Sequence, residues 1–181
     1  DDIVGAVNKL NSENVIVFPN NKNIVMAANQ AKDICDTNVI VIPTTSITQA
    51  ISCMLCFDEE MSVEQLEAEM NSNMKNAVSA QITYAVRDTV IDDRTINSGD
   101  ILGIVEGKIK FVDKSENECV NNIMNEYIDD DSEYVLVFYG SDVSEQDAEK
   151  LCSELEDKYP EVDFSFNYGG QPVYSYIISI E

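Results

Sequence analysis

A short internal repeat in the first third of the chain limits the possible folds more than any other feature. One copy, NVIVFPNNKNIVMAANQA, begins at Asn14, and the second, NVIVIPTTSITQAISCML, begins at Asn38. Each copy has a β-branched apolar run, a proline, a polar turn and then apolar residues at helical spacing. Two consecutive strand-turn-helix units predict parallel strands, with the helix between them packed on the sheet as a right-handed crossover.

The pattern changes near residue 78. The segment AQITYAVRDTVI alternates apolar and polar residues as one strand does, which places Ile82, Tyr84 and Val86 on one face. Glu106-Gly107 between two apolar runs predicts a tight hairpin. Patterns for helix, strand, helix, strand and strand follow. We therefore expect an α/β protein of two small lobes, with a parallel β-α-β lobe at 1–78 and a mixed sheet with a β-hairpin and helices at 79–181.

The balance of charged residues excludes several classes of function. The 34 acidic and 11 basic side chains give a net charge of −23. Repulsion argues against binding to nucleic acid or to an anionic membrane, and a basic partner fits better. The chain has no histidine, which removes histidine acid–base catalysis, Ser–His and Cys–His nucleophile pairs and histidine metal ligation.

The apolar runs and the cysteines indicate a cytoplasmic protein. No run approaches the roughly 20 apolar residues of a membrane-spanning helix, and the first residues lack the pattern of a signal peptide. The five cysteines show no disulfide framework spacing, which suits free thiols in a reducing compartment.

Two further motifs have simple structural explanations. Cys53-Met54-Leu55-Cys56 has CxxC spacing, but it lies inside a helical run and no second CxxC completes a metal site, so we expect core cysteines. The acidic run from Asp129 to Glu133 lacks the glycine and bidentate glutamate of a calcium loop, so we interpret it as a solvated turn. The sequence predicts no metal site.

Polar residues follow both repeat strands. They are Asn20 and Asn21 after the first strand and Thr44, Thr45 and Ser46 after the second. Helix N-termini attract anions, and ligands gather at the carboxyl ends of parallel strands, so these five residues are candidates for binding a ligand. Helix capping and turns require the same residue types, and that explanation is the commoner one.

Both arginines of the chain, Arg87 and Arg94, fall in one short segment. Planar bidentate recognition favours arginine at sites that bind phosphate, carboxylate or a partner protein. The alternative is that both pair at the surface with the neighbouring Asp88, Asp92 and Asp93.

The segment YGGQPVYSY joins two flexible glycines and a rigid proline between aromatic residues. This composition suits a contact loop, because aromatic side chains give a large contact area at low entropy cost. A strand connection whose glycines have positive φ explains the same residues. The candidates for contact here are Tyr168, Gly169, Gly170 and Gln171.

Five motifs occur in the order VFPNNKNIVMAANQA, VIVIPTTSITQAI, TYAVRDTVIDD, INSGDILGIVEGKI and YGGQPVYSYIISIE. Together they resemble the C-terminal domain of the kinase subunit of bacterial fatty acid kinase, a dihydroxyacetone-kinase-like family. The resemblance covers essentially the whole chain. It implies a two-lobed α/β fold similar to DegV and to the K subunit of dihydroxyacetone kinase.

The resemblance also implies a function. In that family an N-terminal domain holds ATP and magnesium and phosphorylates a fatty acid carried by a separate DegV-type protein. This chain then corresponds to the last domain of a larger ATP-dependent kinase, without catalysis or a cofactor of its own. Its partners are its own N-terminal kinase domain and the acyl-binding protein, which it docks through Arg87, Arg94 and the residues from Tyr168 to Gln171.

Two other functions remain open on the sequence. One is a stand-alone module that binds a fatty acid or a small ligand at the strand ends. The other is a dimerisation element, although −23 charges per copy oppose close self-association.

Overall fold

The computed structural model describes residues 2–91 and 94–181. Its internal contacts divide the chain into two compact units, Asp1–Ala77 (unit 1) and Val78–Glu181 (unit 2). Unit 1 contains a two-stranded parallel sheet, and unit 2 contains a six-stranded mixed sheet and a separate two-stranded hairpin. The predicted α/β class is therefore confirmed.

Unit 1 is built on the internal repeat. Its elements are α1 (Asp2–Val7), β1 (Asn14–Val17), α2 (Lys22–Lys32), β2 (Asn38–Val41), α3 (Ile47–Leu55) and α4 (Val63–Asn73). Strands β1 and β2 pair in parallel from Asn14 opposite Asn38 to Val17 opposite Val41, as the repeat predicted. A capping box fixes the start of α4, because Ser62 and Gln65 each accept a hydrogen bond from the other's backbone N–H.

Unit 2 is larger and mostly strand. Its elements are β3 (Val78–Tyr84), β4 (Thr89–Ile91), β5 (Arg94–Ile96), β6 (Ile101–Val105), β7 (Lys108–Asp113), α5 (Glu116–Tyr127), β8 (Tyr134–Tyr139), α6 (Glu145–Lys158), β9 (Asp163–Tyr168) and β10 (Tyr176–Ile180). The sheet order is β7-β6-β3-β10-β8-β9. Within this sheet, β8 and β9 pair in parallel and the other neighbours are antiparallel. Positive φ at Glu106 (50°) and Gly107 (74°) closes the predicted hairpin between β6 and β7.

The prediction of one strand through residues 80–91 is wrong. Strand β3 ends at Tyr84, and the chain then forms a separate antiparallel hairpin of β4 and β5. Ile82 is buried, whereas Tyr84 and Val86 are exposed, so the three do not share a buried face. The cause is that β3 ends at Tyr84, so Val86 lies beyond the strand and the alternation of a single strand does not extend to it.

The two units bury their apolar residues differently. In the part of the chain that the structure describes, unit 2 has a core of 17 buried residues drawn mainly from its strands, α5 and α6, with a small second cluster around Ile96. Within the same ranges, unit 1 has two small clusters of five and three buried residues. Cys53 is fully buried in the larger of these, and the half-buried Cys56 packs against it, so the CxxC cysteines lie in the core and next to it, as predicted.

Residues 2–91 and 94–181 contain neither a membrane-spanning helix nor a metal-binding cluster. No helix among them combines the length and the apolar character needed to cross a bilayer. Within the same ranges, no group of three or more cysteine, aspartate or glutamate side chains is placed to hold a metal ion.

Candidate functional site

Three strands of unit 2 run in the same direction and end in a tyrosine at one edge of the sheet. Strand β10 is antiparallel to both β3 and β8, and β9 is parallel to β8. The last residues of β3, β8 and β9 are Tyr84, Tyr139 and Tyr168. We call this side of the sheet the tyrosine edge. The rings of Tyr139 and Tyr168 are in contact, with centroids 5.4 Å apart.

Residues 169–175, the edge loop, cross the tyrosine edge between β9 and β10. The Gly169 N–H donates to the Tyr139 carbonyl at 2.9 Å, and the Ser175 N–H donates to the Ile82 carbonyl at 2.8 Å. The Thr83 hydroxyl donates to the Val173 carbonyl at 2.7 Å. The edge loop is therefore held to the ends of both β3 and β8.

The Gly-Gly-Gln part of the edge loop shapes the loop itself. The Gln171 side chain donates to the carbonyls of Phe138 (3.0 Å) and Tyr174 (3.2 Å). A Cβ on Gly169 would clash with the Gln171 amide oxygen, and Gly170 has φ +64°. The strand-connection explanation thus accounts for Gly170 through its positive φ, whereas a side chain at Gly169 would displace the Gln171 amide that donates to Phe138 and Tyr174. Tyr168 remains exposed.

Val173 is a contact candidate that the sequence did not reveal. Its φ is 75°, and the Tyr174 N–H donates back to the Pro172 carbonyl at 2.9 Å. A β-branched residue in this region costs roughly 1–3 kcal/mol, and such strain gathers at functional positions. The Val173 side chain is exposed. The only sequence signal is the preceding proline, which marks a turn but not its handedness.

The two arginines lie on the segment that follows β3. Arg94 in β5 donates to the Lys110 carbonyl at 2.7 Å, which ties the β4–β5 hairpin to the edge strand β7. Arg87 is exposed, and among the described residues neither guanidinium forms an ion pair. Asp88 instead accepts from the Ser98 N–H at 2.7 Å, so its predicted pairing with arginine is wrong. Asp92 and Asp93, the other predicted partners, lie outside the described residues.

The arginine segment and the edge loop leave the same edge of the sheet. Strands β3 and β9 both end there, and two strands separate them, which corresponds to about 14 Å across the sheet. Three exposed apolar side chains, Val86, Val90 and Ile91, accompany Arg87. Val86 and Arg87 thus follow the end of β3 at the tyrosine edge, whereas Val90 and Ile91 lie in the hairpin that Arg94 ties to β7.

Carboxylates surround two phenols at this edge. Burial and then the charges of Glu116 and Asp147 raise the pKa of Tyr176 to about 12. Burial, followed by Glu145 and Glu149, also raises the pKa of Tyr139. Both hydroxyls therefore stay protonated at neutral pH.

The N-terminus of α5 carries a carboxylate of this chain, the side chain of Glu116. Glu116 lies in the first turn of α5 and accepts a hydrogen bond from the Ser175 hydroxyl. Its carboxylate thus occupies the positive end of that helix.

The strand-end candidates of unit 1 are used mainly in local hydrogen bonds. Asn21 and Ser46 are the N-caps of α2 and α3. The buried Thr44 donates to the Pro19 carbonyl at 2.5 Å, and the Thr45 N–H donates to the Gln49 side chain at 2.8 Å. Asn20 is exposed. The bonds of Asn21 and Ser46 are those that capping requires, the Thr44 bond joins the two loops that follow β1 and β2, and a ligand role for the five residues remains a prediction.

Comparisons with known proteins identify relatives along the whole chain. Residues 1–181 match the family model for the C-terminal domain of FakA-like fatty acid kinase proteins. Protein YloV of Bacillus subtilis (strain 168) is 40% identical over 181 residues, which are 100% of this chain and 33% of that protein. An uncharacterized protein of Staphylococcus aureus (strain MRSA252) is 37% identical over the same shares. The chain therefore spans about a third of the length of these relatives.

Solved structures share the fold at low identity. The fatty acid kinase B3 protein of Streptococcus pneumoniae, solved loaded with linoleic acid, has a TM-score of 0.72 at 12% identity, covering 100% of this chain and 75% of that one. A DegV lipid-binding protein of Thermotoga maritima has a TM-score of 0.71 at 14% identity, covering 99% and 74%. The dihydroxyacetone kinase of C. freundii, solved with AMP-PNP and Mg²⁺, has a TM-score of 0.65 at 11% identity, covering 98% and 40%. The expected likeness to DegV and dihydroxyacetone kinase is confirmed for the fold.

Proposed function

Because this chain belongs to the FakA-like fatty acid kinase family and matches its C-terminal domain, we propose that it docks a DegV-type acyl-binding protein. The bound fatty acid is thereby presented to a kinase domain outside this chain, which supplies ATP and magnesium. In this role the chain performs no chemical step. It raises the rate by holding two reactants together, since proximity alone lowers a barrier substantially.

The observation that carries the proposal is the rigid presentation of exposed side chains at the tyrosine edge. Hydrogen bonds to β3 and β8 fix the edge loop, while Tyr168 at the end of β9 and Val173 in the loop are exposed. A preorganised aromatic anchor loses little conformational entropy on binding. The strain at Val173 supports the same conclusion, because the fold maintains a costly backbone conformation to expose this side chain.

The charges around the edge support a protein partner over a free fatty acid. A fatty acid carboxylate approaching the start of α5 or α6 would meet Glu116, Glu145 and Asp147, which already occupy the first turns. Like charges disfavour such a site. Arg87 lies on the segment after β3 and is suited to a carboxylate on the partner's surface.

The test is calorimetric titration of the full-length protein with an acyl-binding protein, loaded and unloaded with fatty acid. Tyr168→Ala should weaken binding about ten-fold or more, as truncation of a central aromatic anchor does. Arg87→Ala should weaken it by a smaller factor. The matched controls are Ile34→Ala, an exposed apolar residue of unit 1, and Lys150→Ala, an exposed cation on α6; both should leave the affinity unchanged.

Two results would contradict the docking role. One is the absence of saturable binding at tens of micromolar. The other is saturable binding of free fatty acid by this protein without the acyl-binding protein, weakened by Thr45→Ala but not by Tyr168→Ala. That second pattern would favour the stand-alone binding module.

A further inference from the structure

Helix α3 of unit 1 leaves large apolar side chains in water. Its buried residues are Thr48, Ser52 and Cys53, two of which carry hydroxyls. Ile47, Met54 and Leu55 are all exposed. Ile47 and Met54 are seven residues apart and lie on one face of the helix, and Leu55 is its last residue. A surface helix ordinarily turns its large apolar side chains toward the core.

The inward hydroxyls have partners inside the unit. Ser52 donates to the Thr48 carbonyl at 3.1 Å, and the hydroxyls of Ser46 and Thr48 lie 2.9 Å apart. The interior therefore accepts the polar face of α3 because its hydrogen bonds are satisfied. The apolar outer face gains nothing comparable in this chain, and exposing it to water costs free energy.

The same region lacks charged residues. None occurs between Asp36 and Asp58, in a chain of which 25% of residues are charged. Phe57, just after α3, is also exposed and extends the apolar surface. Depletion of charge around exposed aliphatic, aromatic and methionine side chains is the composition of an interface core.

Three occupants could cover this surface, and the observations favour one. In the relatives at 37–40% identity, the matched region is about a third of the protein, so the rest of the polypeptide is about twice as long as this region. That remainder is covalently attached and is therefore permanently available to cover the surface. A second copy would bring another 23 negative charges against the first. Transient partners generally bind through more polar surfaces, whereas permanent interfaces are more apolar. The apolar character of this surface therefore favours a permanent partner.

We infer that the outward face of α3, formed by Ile47, Met54 and Leu55 with Phe57, is the surface on which the remainder of the same polypeptide packs in the full-length protein. This interface is separate from the tyrosine edge of unit 2. It goes beyond the docking role and does not depend on it.

Methionine oxidation in the full-length protein tests the inference, because sulfur accessibility sets the rate of sulfoxide formation. Met54 on α3 is 51% exposed and Met26 on α2 is 69% exposed in this chain, so the two serve as probe and internal control. With dilute peroxide and peptide mass spectrometry, Met54 should oxidise about ten-fold more slowly than Met26. Rates within about two-fold of each other would overturn the inference.

A second experiment places a charge on the outward face of α3. Leu55→Glu in the full-length protein should raise the oxidation rate of Met54 toward that of Met26, because a buried unpaired carboxylate opens an apolar interface. The matched control is Ile34→Glu, since Ile34 is 70% and Leu55 is 67% exposed. Ile34→Glu should leave the Met54 rate unchanged.

Three further oxidation measurements distinguish the other molecules or segments that could cover this surface. Protection of Met54 that disappears on dilution would assign the face to a second copy. Protection that appears only after adding the acyl-binding protein would assign it to that partner, and equal protection in the 181-residue chain by itself would assign the cover to this chain. Each of these three results would overturn the inference, whatever the titration shows for the tyrosine edge.

Discussion

Units 1 and 2 both pack helices on a β-sheet, but they differ greatly in how many apolar residues they bury. Over residues 78–91 and 94–181, unit 2 combines a six-stranded sheet with two long helices and buries 17 residues in its main core. Over residues 2–77, unit 1 has a two-stranded sheet and two small clusters. It nevertheless leaves more large apolar side chains in water: Leu10, Ile24, Met26, Ile34, Ile47, Met54, Leu55 and Phe57. A sheet this small rarely sustains itself, so unit 1 has the greater need of further contacts.

Charge follows the same division. Residues 1–77 hold 4 basic and 11 acidic side chains, a net charge of −7, whereas residues 78–181 hold 7 and 23, a net charge of −16. A well-packed core allows unit 2 to keep a strongly charged, solvated surface. Unit 1 instead exposes Ile47, Met54, Leu55 and Phe57, which lie in a stretch without charged residues. The comparison indicates that the better-packed unit is the one adapted to water.

The largest expected effect comes from a glycine in unit 2. A Cβ on Gly140 would clash with the Tyr174 carbonyl oxygen and lie 2.8 Å from that of Gln171, and neither backbone can retreat easily. Gly140→Ala should therefore lower the free energy of unfolding by about 3 kcal/mol. Denaturant unfolding followed by tyrosine fluorescence measures this loss.

The matched substitution lies in α1 of unit 1. Gly5 has no atom within 4 Å of an added Cβ, so Gly5→Ala should raise stability by about 0.5–1 kcal/mol. Equal and small effects at both glycines would show that unit 2 is not tightly packed at the edge loop, which contradicts the comparison.

The two units should also unfold separately. All eight tyrosines of the chain lie in unit 2, so their fluorescence reports on that unit alone, while far-UV circular dichroism reports on the helices of both. In the 181-residue chain we expect unit 1 to unfold at a lower urea concentration, with stability smaller by about 2 kcal/mol. Coincident transitions by the two probes would mean that the units unfold as one.

A helix cap gives a smaller effect within unit 1. Ser62 accepts from the Gln65 N–H at 3.3 Å in the capping box of α4. Ser62→Ala should destabilise unit 1 by about 1 kcal/mol, measured by circular dichroism, and leave the tyrosine transition in place. Ser72→Ala on the exposed side of the same helix is the control and should have little effect. A shift of both the circular dichroism and the tyrosine fluorescence transitions would show that the two units unfold together.

The smallest expected effect is a dependence of the free energy of unfolding on pH, through the carboxyl of Asp100. Asp100 accepts from Lys114 at 2.5 Å and from the Asn97 N–H at 2.9 Å, which lowers the pKa of its carboxyl from 3.8, Lys114 contributing most. The unfolded state therefore binds this proton more readily. The stabilisation is complete above about pH 4 and is lost as the pH falls through the lowered native pKa.

Asp100→Asn tests this dependence. The variant should unfold at a lower urea concentration than the wild type at about pH 6, and the difference should shrink at about pH 2.5. Tyrosine fluorescence provides the readout because the pair lies in unit 2. A difference that grows in acid would show that the native carboxyl holds its proton more tightly than the unfolded one.

Much of the local structure could be predicted from the sequence. The repeat at Asn14 and Asn38 specified two parallel strands, because each unit contains its own strand, turn and helix start. Ser62 with Gln65 and Glu106 with Gly107 specified a helix start and a hairpin for the same reason: the interactions involved span only a few residues. The net charge and the missing histidine, both properties of composition alone, limited the chemistry of the chain.

The arrangement of the candidate site required the tertiary structure. No local rule places Tyr84, Tyr139 and Tyr168 at one edge, because that depends on the order and direction of strands far apart in sequence. The left-handed backbone of Val173 is imposed by hydrogen bonds to Thr83 and within the edge loop, and valine has no intrinsic preference for it. The exposure of Ile47, Met54 and Leu55 on α3 could likewise not be predicted, because an apolar helical pattern indicates which residues tend to be buried, and only the packing decides which of them the rest of the chain leaves in water.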